Sequence, residues 1–267
     1  MRHTVAWPAA WVIAMDVRQY LARIAYAGKV LPSLDVLRSL QEAHLLSVPF
    51  ENLDIHAGRR IVLEPTHLFH KIVLSKRGGF CYELNGLFHW LLREIGFCAR
   101  LAMGRVYDRT QGVYGPAFDH MLVLAEVEGE TWLVDVGFGD FAMHPLKTTL
   151  DTPLSDTNGT FLIERYDAEY LKVSRFSTDE NRYLPEYLFS GGARSLPDFA
   201  DMCLYHQTSG ESHFTRQRVC SIATATGRTT LTDNKLIVTE RSVRTETTIS
   251  GEPEFRRVLV ERFNIVL

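Results

Sequence analysis

One cysteine in this chain stands where a thiol gains reactivity. The stretch Arg77-Gly78-Gly79-Phe80-Cys81-Tyr82-Glu83-Leu84-Asn85-Gly86 sets Cys81 between a glycine-rich turn and the first turn of a helix. Leu84, Leu87, Phe88, Leu91, Leu92 and Ile95 follow at helical spacing, and Gly96 stands where a helix is capped at its C-terminus. A sulfur at a helix start meets free backbone N–H groups and the positive end of the helix dipole, and both favour a thiolate. Arg77 adds a positive charge nearby. Gly78 and Gly79 allow a sharp bend and keep bulk away from the sulfur. The same residues also describe a buried core cysteine behind an ordinary turn, so the choice rests on partners elsewhere.

A nucleophilic cysteine needs a base, and the base needs a group to orient it. Of the ten histidines, His44, His67, His70 and His89 fall on helical stretches. His120 instead opens a strand after a glycine-rich loop. That strand, His120 to Val127, is followed across Glu128-Gly129-Glu130 by Thr131 to Val136, which reads as a hairpin. A loop of two or four residues pairs His120 opposite Gly137. Asp135 then lies on the same sheet face, one diagonal step of about 7 Å away. A three-residue loop puts the two on opposite faces. The glycine opposite would leave room above the imidazole. Asp135 also sits in the apolar run Trp132-Leu133-Val134-Asp135-Val136, where an unpaired carboxylate is costly. His120 is one candidate partner; the backbone N–H groups of Gly137-Phe138-Gly139 are the other.

The elements that must hold these groups change texture along the chain. Residues 1–96 read as helical, with Asp16 and Ser33 as N-caps, a loop at Pro49-Phe50-Glu51-Asn52-Leu53, a short helix from Thr66 and then the cysteine helix. Residues 97–194 read as β: a strand over Ala99 to Tyr107, a loop from Asp108 to Asp119, the His120 hairpin, and a second hairpin over Phe161 to Tyr166 and Tyr170 to Phe176. Residues 195–267 mix a helix over Pro197 to His206, a polar turn from Thr208 to Phe214, four short strands, and a last helix from about Pro253 to Phe263. There is no internal repeat and no low-complexity segment.

Composition narrows the function classes. A chain of 267 residues with 46% hydrophobic residues can bury a large core without disulfides or a structural metal. The net charge of -3 gives no reason to expect nucleic acid or an anionic membrane as partner. Cys81, Cys98, Cys203 and Cys220 are widely spread with no Cys-x-x-Cys pair, so no metal site and no disulfide framework is expected, and reduced thiols point to the cytoplasm. Residues 1–14 include an apolar stretch interrupted by Pro8, too short to span a membrane. They read as an extension on the surface or as residues upstream of a natural start at Met15.

Taken together, the cysteine stretch, Asp119-His120-Met121 and Asp135-Val136-Gly137-Phe138-Gly139 resemble the motifs of the arylamine N-acetyltransferases. Tyr20 to Gly28, His44 to Leu53 and Thr208 to Phe214 resemble further family segments, so the resemblance runs from about Met15 to the end. It implies an α+β fold: an N-terminal helical bundle, a central β-barrel and a C-terminal α/β lid around a papain- or transglutaminase-like core. It implies a Cys81–His120–Asp135 triad, often with thiolate and imidazolium preformed. Acetyl-CoA, as co-substrate, would acylate Cys81, and an arylamine, arylhydrazine or arylhydroxylamine would then take the acetyl group in a ping-pong cycle. Phe50, Phe138 and Phe214 would wall the arene pocket. Gly137 and Gly139, with Thr208, Ser209 and Ser212 from the other side, would approach CoA. Asp140 and Gly210 depart from the usual pattern. The protein would be a monomer or homodimer. Three rivals remain: a thiol hydrolase or peptidase with the same triad, an amide synthase closing macrolactams, and a non-catalytic binding protein.

Overall fold

The computed structural model describes residues 14–241 and 243–267. The expectation for the N-terminal extension therefore falls, but for Ala14, outside the described residues.

The N-terminal helices begin where short polar side chains can satisfy orphan N–H groups. The Asp16 carboxylate accepts the Arg18 N–H ahead of α1 (Val17–Arg23), and the Ser33 hydroxyl accepts the Val36 N–H ahead of α2 (Leu34–Ser47). The expected loop at Pro49–Leu53 is instead a short strand, β1 (Phe50–Glu51), leading into α3 (Leu53–His56). Next comes α4 (Pro65–Phe69), which widens into a π-helical turn over His70–Leu74, and then α5 (Cys81–Ile95). Helix α5 is the central post. Leu84, Leu87, Phe88, Leu91 and Leu92 are fully buried, and each such side chain contributes roughly 1.5–3 kcal/mol by leaving water. Gly96 closes the helix at φ 102, a conformation that costs any residue with a Cβ.

The middle of the chain forms β2 (Cys98–Asp108), β3 (Val113–Tyr114), β4 (His120–Val127), β5 (Glu130–Val134), β6 (Leu146–Lys147), β7 (Leu154–Asp156), β8 (Gly159–Arg165), β9 (Tyr170–Ser177) and β10 (Arg182–Ser190). They build one nine-stranded antiparallel sheet in the order β6-β5-β4-β2-β10-β9-β8-β7, with β3 on β2. Leu150, between β6 and β7 in sequence, bridges to Ile163 of β8, so the sheet curls toward a barrel. Side-chain alternation sorts its two faces. Leu101, Met103, Met121, Val123, Val134 and Leu188 pack with the helices. Ala102, Leu122, Leu124, Leu133, Tyr187 and Phe189 fill the barrel with Phe141, Phe161 and Ile163. Four strands here differ from expectation: β3 lies within the loop 108–119, β6 and β7 are short strands in a stretch read without elements, and β10 is a strand of its own between β2 and β9. Pro185 and Glu186 break the alternation that would have revealed it, and the register slips between Pro185 and Tyr187.

The C-terminal part carries a 3₁₀ turn (Leu196–Phe199), α6 (Ala200–Thr208), α7 (His213–Arg216), β11 (Val219–Thr224), β12 (Gly227–Thr232), β13 (Lys235–Glu240), β14 (Val243–Thr248) and α8 (Gly251–Phe263). Its sheet takes its first strand from the N-terminal part, since β1 pairs with β11. That pairing brings Phe50 beside the C-terminal segment. Among the described residues no helix is long and apolar enough to cross a membrane.

Gly96→Ala should lower stability by about 1–2 kcal/mol, the cost of a left-handed alanine. Chemical denaturation measures the loss, and the site chemistry should be unaffected.

Candidate active site

The hairpin loop is Glu128-Gly129, because Val127 pairs with Glu130 and Val123 with Val134. Both loop residues have positive φ, at 55 and 78, the geometry of a two-residue turn that follows the strand twist. This register puts His120 and Asp135 on the barrel face. His120 Nε2 lies 2.7 Å from Asp135 Oδ2. A carboxylate accepts only, so Nε2 carries the proton and Nδ1 keeps its lone pair. Asp135 Oδ2 also accepts from the Tyr187 hydroxyl at 3.1 Å. Its Oδ1 accepts from Asn85 Nδ2 and from the Gly137 N–H, each at 2.9 Å. Both partners open to Asp135 from sequence are therefore present, one on each oxygen. The carboxylate is 1% exposed and the imidazole residue 2%, so these bonds stand in for the water that the carboxylate would hold.

Cys81 is the first residue of α5 and is 3% exposed. The N–H groups of Cys81 and Tyr82 have no intrahelical carbonyl to bond. Burial pushes the thiol well above its ordinary range; a hydrogen bond from the Met121 backbone works against this, and the Asp135 carboxylate adds to the rise. One turn on, Asn85 joins α5 to the hairpin. Its Nδ2 donates to the Met121 carbonyl at 2.6 Å as well as to Asp135, and its Oδ1 accepts the Val136 N–H at 2.9 Å. Gly137 packs against the cysteine backbone: a Cβ there would lie 2.7 Å from Cys81 Cα.

Three expectations about this turn need correcting. Arg77 offers no free charge to the sulfur, because its guanidinium is spent on Glu51 Oε1, at 3.0 and 2.7 Å, and on Asp54 at 3.2 Å. Gly78 and Gly79 make room for other groups, not for the sulfur: a Cβ on Gly78 would lie 1.9 Å from the Pro49 carbonyl oxygen, and one on Gly79 2.7 Å from Glu83 Oε2. Opposite His120 in the sheet is Gly104 on β2, whose added Cβ would come within 3.3 Å of His120 Cβ; Gly137 lies past the end of β5. The start of α5 is held by Glu83, whose Oε2 accepts the Phe80 N–H at 3.2 Å while Oε1 takes Lys71 Nζ at 2.7 Å. Lys71 also reaches Asp54 at 2.9 Å. Three cations, Lys71, Arg77 and Arg59, thus meet three carboxylates, Glu51, Asp54 and Glu83. Burial pushes Glu83 up to about 7, with the Glu51 and Asp54 carboxylates adding to the rise and Lys71 opposing it.

Cys81 and His120 line one cavity of about 400 Å³ with Phe50, Phe138, Phe214, Val106, Val219, Gly137, Asn52, Asp119, His213 and Gln217. Its wall is mostly apolar and aromatic. Phe50 and Phe214 have ring centroids 6.1 Å apart, and Phe138 stands edge-on to His120 at 5.2 Å. Of the residues expected near CoA, Gly137 lines the cavity, and a side chain added at Gly139 would meet open space. Thr208, Ser209 and Ser212 do not line it. The Thr208 hydroxyl bonds the Leu204 carbonyl, Ser209 Oγ accepts the Glu211 N–H, and Ser212 Oγ bonds His206 and caps α7. Tyr187 and His213 carried no sequence signal of their own, and Asn85 and Asp119 stood within the cysteine and histidine motifs without an assigned role. Asn85 was visible only as a polar residue on an apolar helix face, one turn past Cys81.

Known proteins share this arrangement of chain. A family model described as N-acetyltransferase matches residues 33–267. The chain is 31% identical over 275 residues to the arylamine N-acetyltransferase, pineal gland isozyme NAT-10, of Gallus gallus, with 95% of each covered. It is similar in structure to the arylamine N-acetyltransferase of M. tuberculosis, with a TM-score of 0.87, 29% identity and 94% of each chain covered. The Mycobacterium marinum arylamine N-acetyltransferase in complex with CoA superposes at a TM-score of 0.85, with 28% identity over 94% of this chain and 93% of that one.

Asn85→Ala leaves the Val136 N–H and the Met121 carbonyl unpaired and strips one donor from Asp135. It should cost about 2–3 kcal/mol in chemical denaturation. Glu83 binds its proton more tightly folded than unfolded, so its contribution to stability is complete below its ordinary 4.5 and is lost as pH rises through about 7. Glu83→Gln should flatten the fall of the melting temperature across that window.

Proposed function

This chain belongs to the arylamine N-acetyltransferase family, and on that basis we propose that it moves an acetyl group from acetyl-CoA to the nitrogen of an arylamine or arylhydrazine through an acetyl-Cys81 thioester. The observation that carries this reading is a buried Cys81 and a His120 on one cavity wall, with His120 Nε2 tied to Asp135.

Burial penalises a lone thiolate at Cys81. The thiol proton therefore passes to a neighbour within the site, and the His120 Nδ1 lone pair is the group to take it. The imidazolium so formed faces the Asp135 carboxylate, which is fixed by its other donors and keeps the ring in one tautomer and orientation. The thiolate attacks the acetyl carbonyl, and CoA leaves as its thiol after receiving the proton from His120. The arylamine then attacks the thioester and gives its proton to His120 as the Cys81 thiolate departs. Oxyanions formed in both halves are met by backbone N–H groups at the start of α5, with Cys81 N–H as the first candidate.

Phe50, Phe138 and Phe214 supply an apolar wall that fits a planar arene. The Gly137–Gly139 backbone, with open space at Gly139, supports an approach by pantetheine or nucleotide there. The hydroxyls of Thr208, Ser209 and Ser212 have their bonds elsewhere, and no role in CoA binding is assigned to them.

The direct test is purified protein given acetyl-CoA with and without an aryl hydrazine. CoA release should depend on the hydrazine; release at the same rate without it would mark a hydrolase. Cys81→Ala and Cys81→Ser should abolish transfer with the fold retained. Asp135→Asn, which puts an amide N–H against a neighbouring donor, should cost at least about a hundredfold in kcat/KM.

A further inference from the structure

A second His–Asp pair lies beside the cavity. His206, on α6, is buried and uses both ring nitrogens. Its Nε2 lies 3.1 Å from Asp119 Oδ1 and its Nδ1 3.0 Å from Ser212 Oγ. The carboxylate accepts, so Nε2 carries the proton and Nδ1 accepts from the serine hydroxyl. The same Ser212 oxygen accepts the Phe214 N–H at 3.2 Å, and Asp119 Oδ2 accepts the Val106 N–H at 3.2 Å. The imidazole stands edge-on to Phe214, with centroids 5.2 Å apart, and 6.0 Å from the ring of Tyr82. The Tyr82 hydroxyl in turn donates to the carbonyls of Phe118 and Asp119, at 2.7 and 3.2 Å.

Three of the residues in this network stand beside residues of the proposed reaction. Tyr82 follows Cys81, Asp119 precedes His120, and Ser212 stands two residues before Phe214. One side chain from the C-terminal part thus joins the three segments that carry the sulfur, the base and the arene wall. We propose that His206 is a positioning residue for acetyl transfer: it fixes the backbone at His120 through Asp119 and the Phe214 wall through Ser212. The proposal rests on transfer through Cys81 as given above.

Asp119 has a second effect, because its negative charge adds to the rise of the Cys81 thiol. A donor at Nε2 holds that carboxylate on the α6 side and offsets its charge. The groups facing His206 are Asp119, His213 and Tyr82, with Tyr205 on its own helix. Those acting on Cys81 are Asp135, Cys203 and Asp119, with His120 on the same cavity wall.

Three replacements separate the bond from the packing. His206→Gln keeps a donor near the place of Nε2, His206→Asn reaches only toward Ser212, and His206→Phe keeps the ring alone. Each is measured for kcat and KM with an arylamine, and for the pH profile of Cys81 alkylation by iodoacetamide. The Gln variant should stay within about threefold of the wild-type kcat, while Asn and Phe lose roughly ten- to a hundredfold. Asn and Phe should also raise the arylamine KM and move the alkylation midpoint to higher pH. If Asn and Phe match the wild type in kcat and in alkylation, or if Gln is as impaired as Asn, the proposal is overturned. Should the Phe variant fail to fold, the contrast between Gln and Asn decides alone. Alkylation needs no acetyl-CoA. A wild-type protein that transfers no acetyl group would therefore overturn the reaction, while the contrast between Gln and Asn in alkylation still confirms or overturns the positioning.

Discussion

The Asp135 carboxylate is the point on which the site depends. It sits in the apolar run at the end of β5 and is shut off from water, a placement that is stable only if its oxygens are bonded. Four donors come from four parts of the chain: His120 on β4, Tyr187 on β10, Asn85 on α5 and the Gly137 backbone. The bonds that make the buried charge tolerable also fix the imidazole in one tautomer and dock the cysteine helix onto the sheet. Stability and proposed chemistry share one set of contacts, so substitutions around Asp135 act on both.

The sulfur poses the opposite electrostatic problem. Burial at the foot of α5 works against a free thiolate, although the helix start offers unpaired N–H groups. The charges nearest in sequence do not resolve this. Arg77 and Lys71 are absorbed by Glu51, Asp54 and Glu83, a network that holds the turn before the helix. An internal proton transfer to His120 moves charge without changing the net charge of the site, and so avoids most of the desolvation that ionisation into solvent would incur.

Much of this was legible in the sequence, for physical reasons. The side-chain period of 2 put His120 and Asp135 on one face for a hairpin loop of two or four residues, and the loop has two. Asp16, Ser33 and Gly96 marked helix ends. What stayed hidden depends on contacts between distant segments. Strand β10 contains Pro185 and a register slip, so the donor Tyr187 carried no pattern. The partners of Arg77 lie 26 and 23 residues away, and a charge that looked available to the sulfur was already paired. The need for glycine at position 78 comes from the Pro49 carbonyl, which no local rule names. His206 and Asp119 are separated by 87 residues and meet only when the C-terminal part closes over the cavity.

The central claim is that Cys81 carries the acetyl group between two separate half-reactions. The decisive measurement is peptide mass analysis of protein incubated with acetyl-CoA alone, quenched in acid, and compared with a sample chased with an aryl hydrazine. One acetyl group on the peptide containing Cys81, lost on the chase as acetylated hydrazine forms, is the predicted result. Acetylated hydrazine formed by a protein whose Cys81 never bears an acetyl group would contradict it.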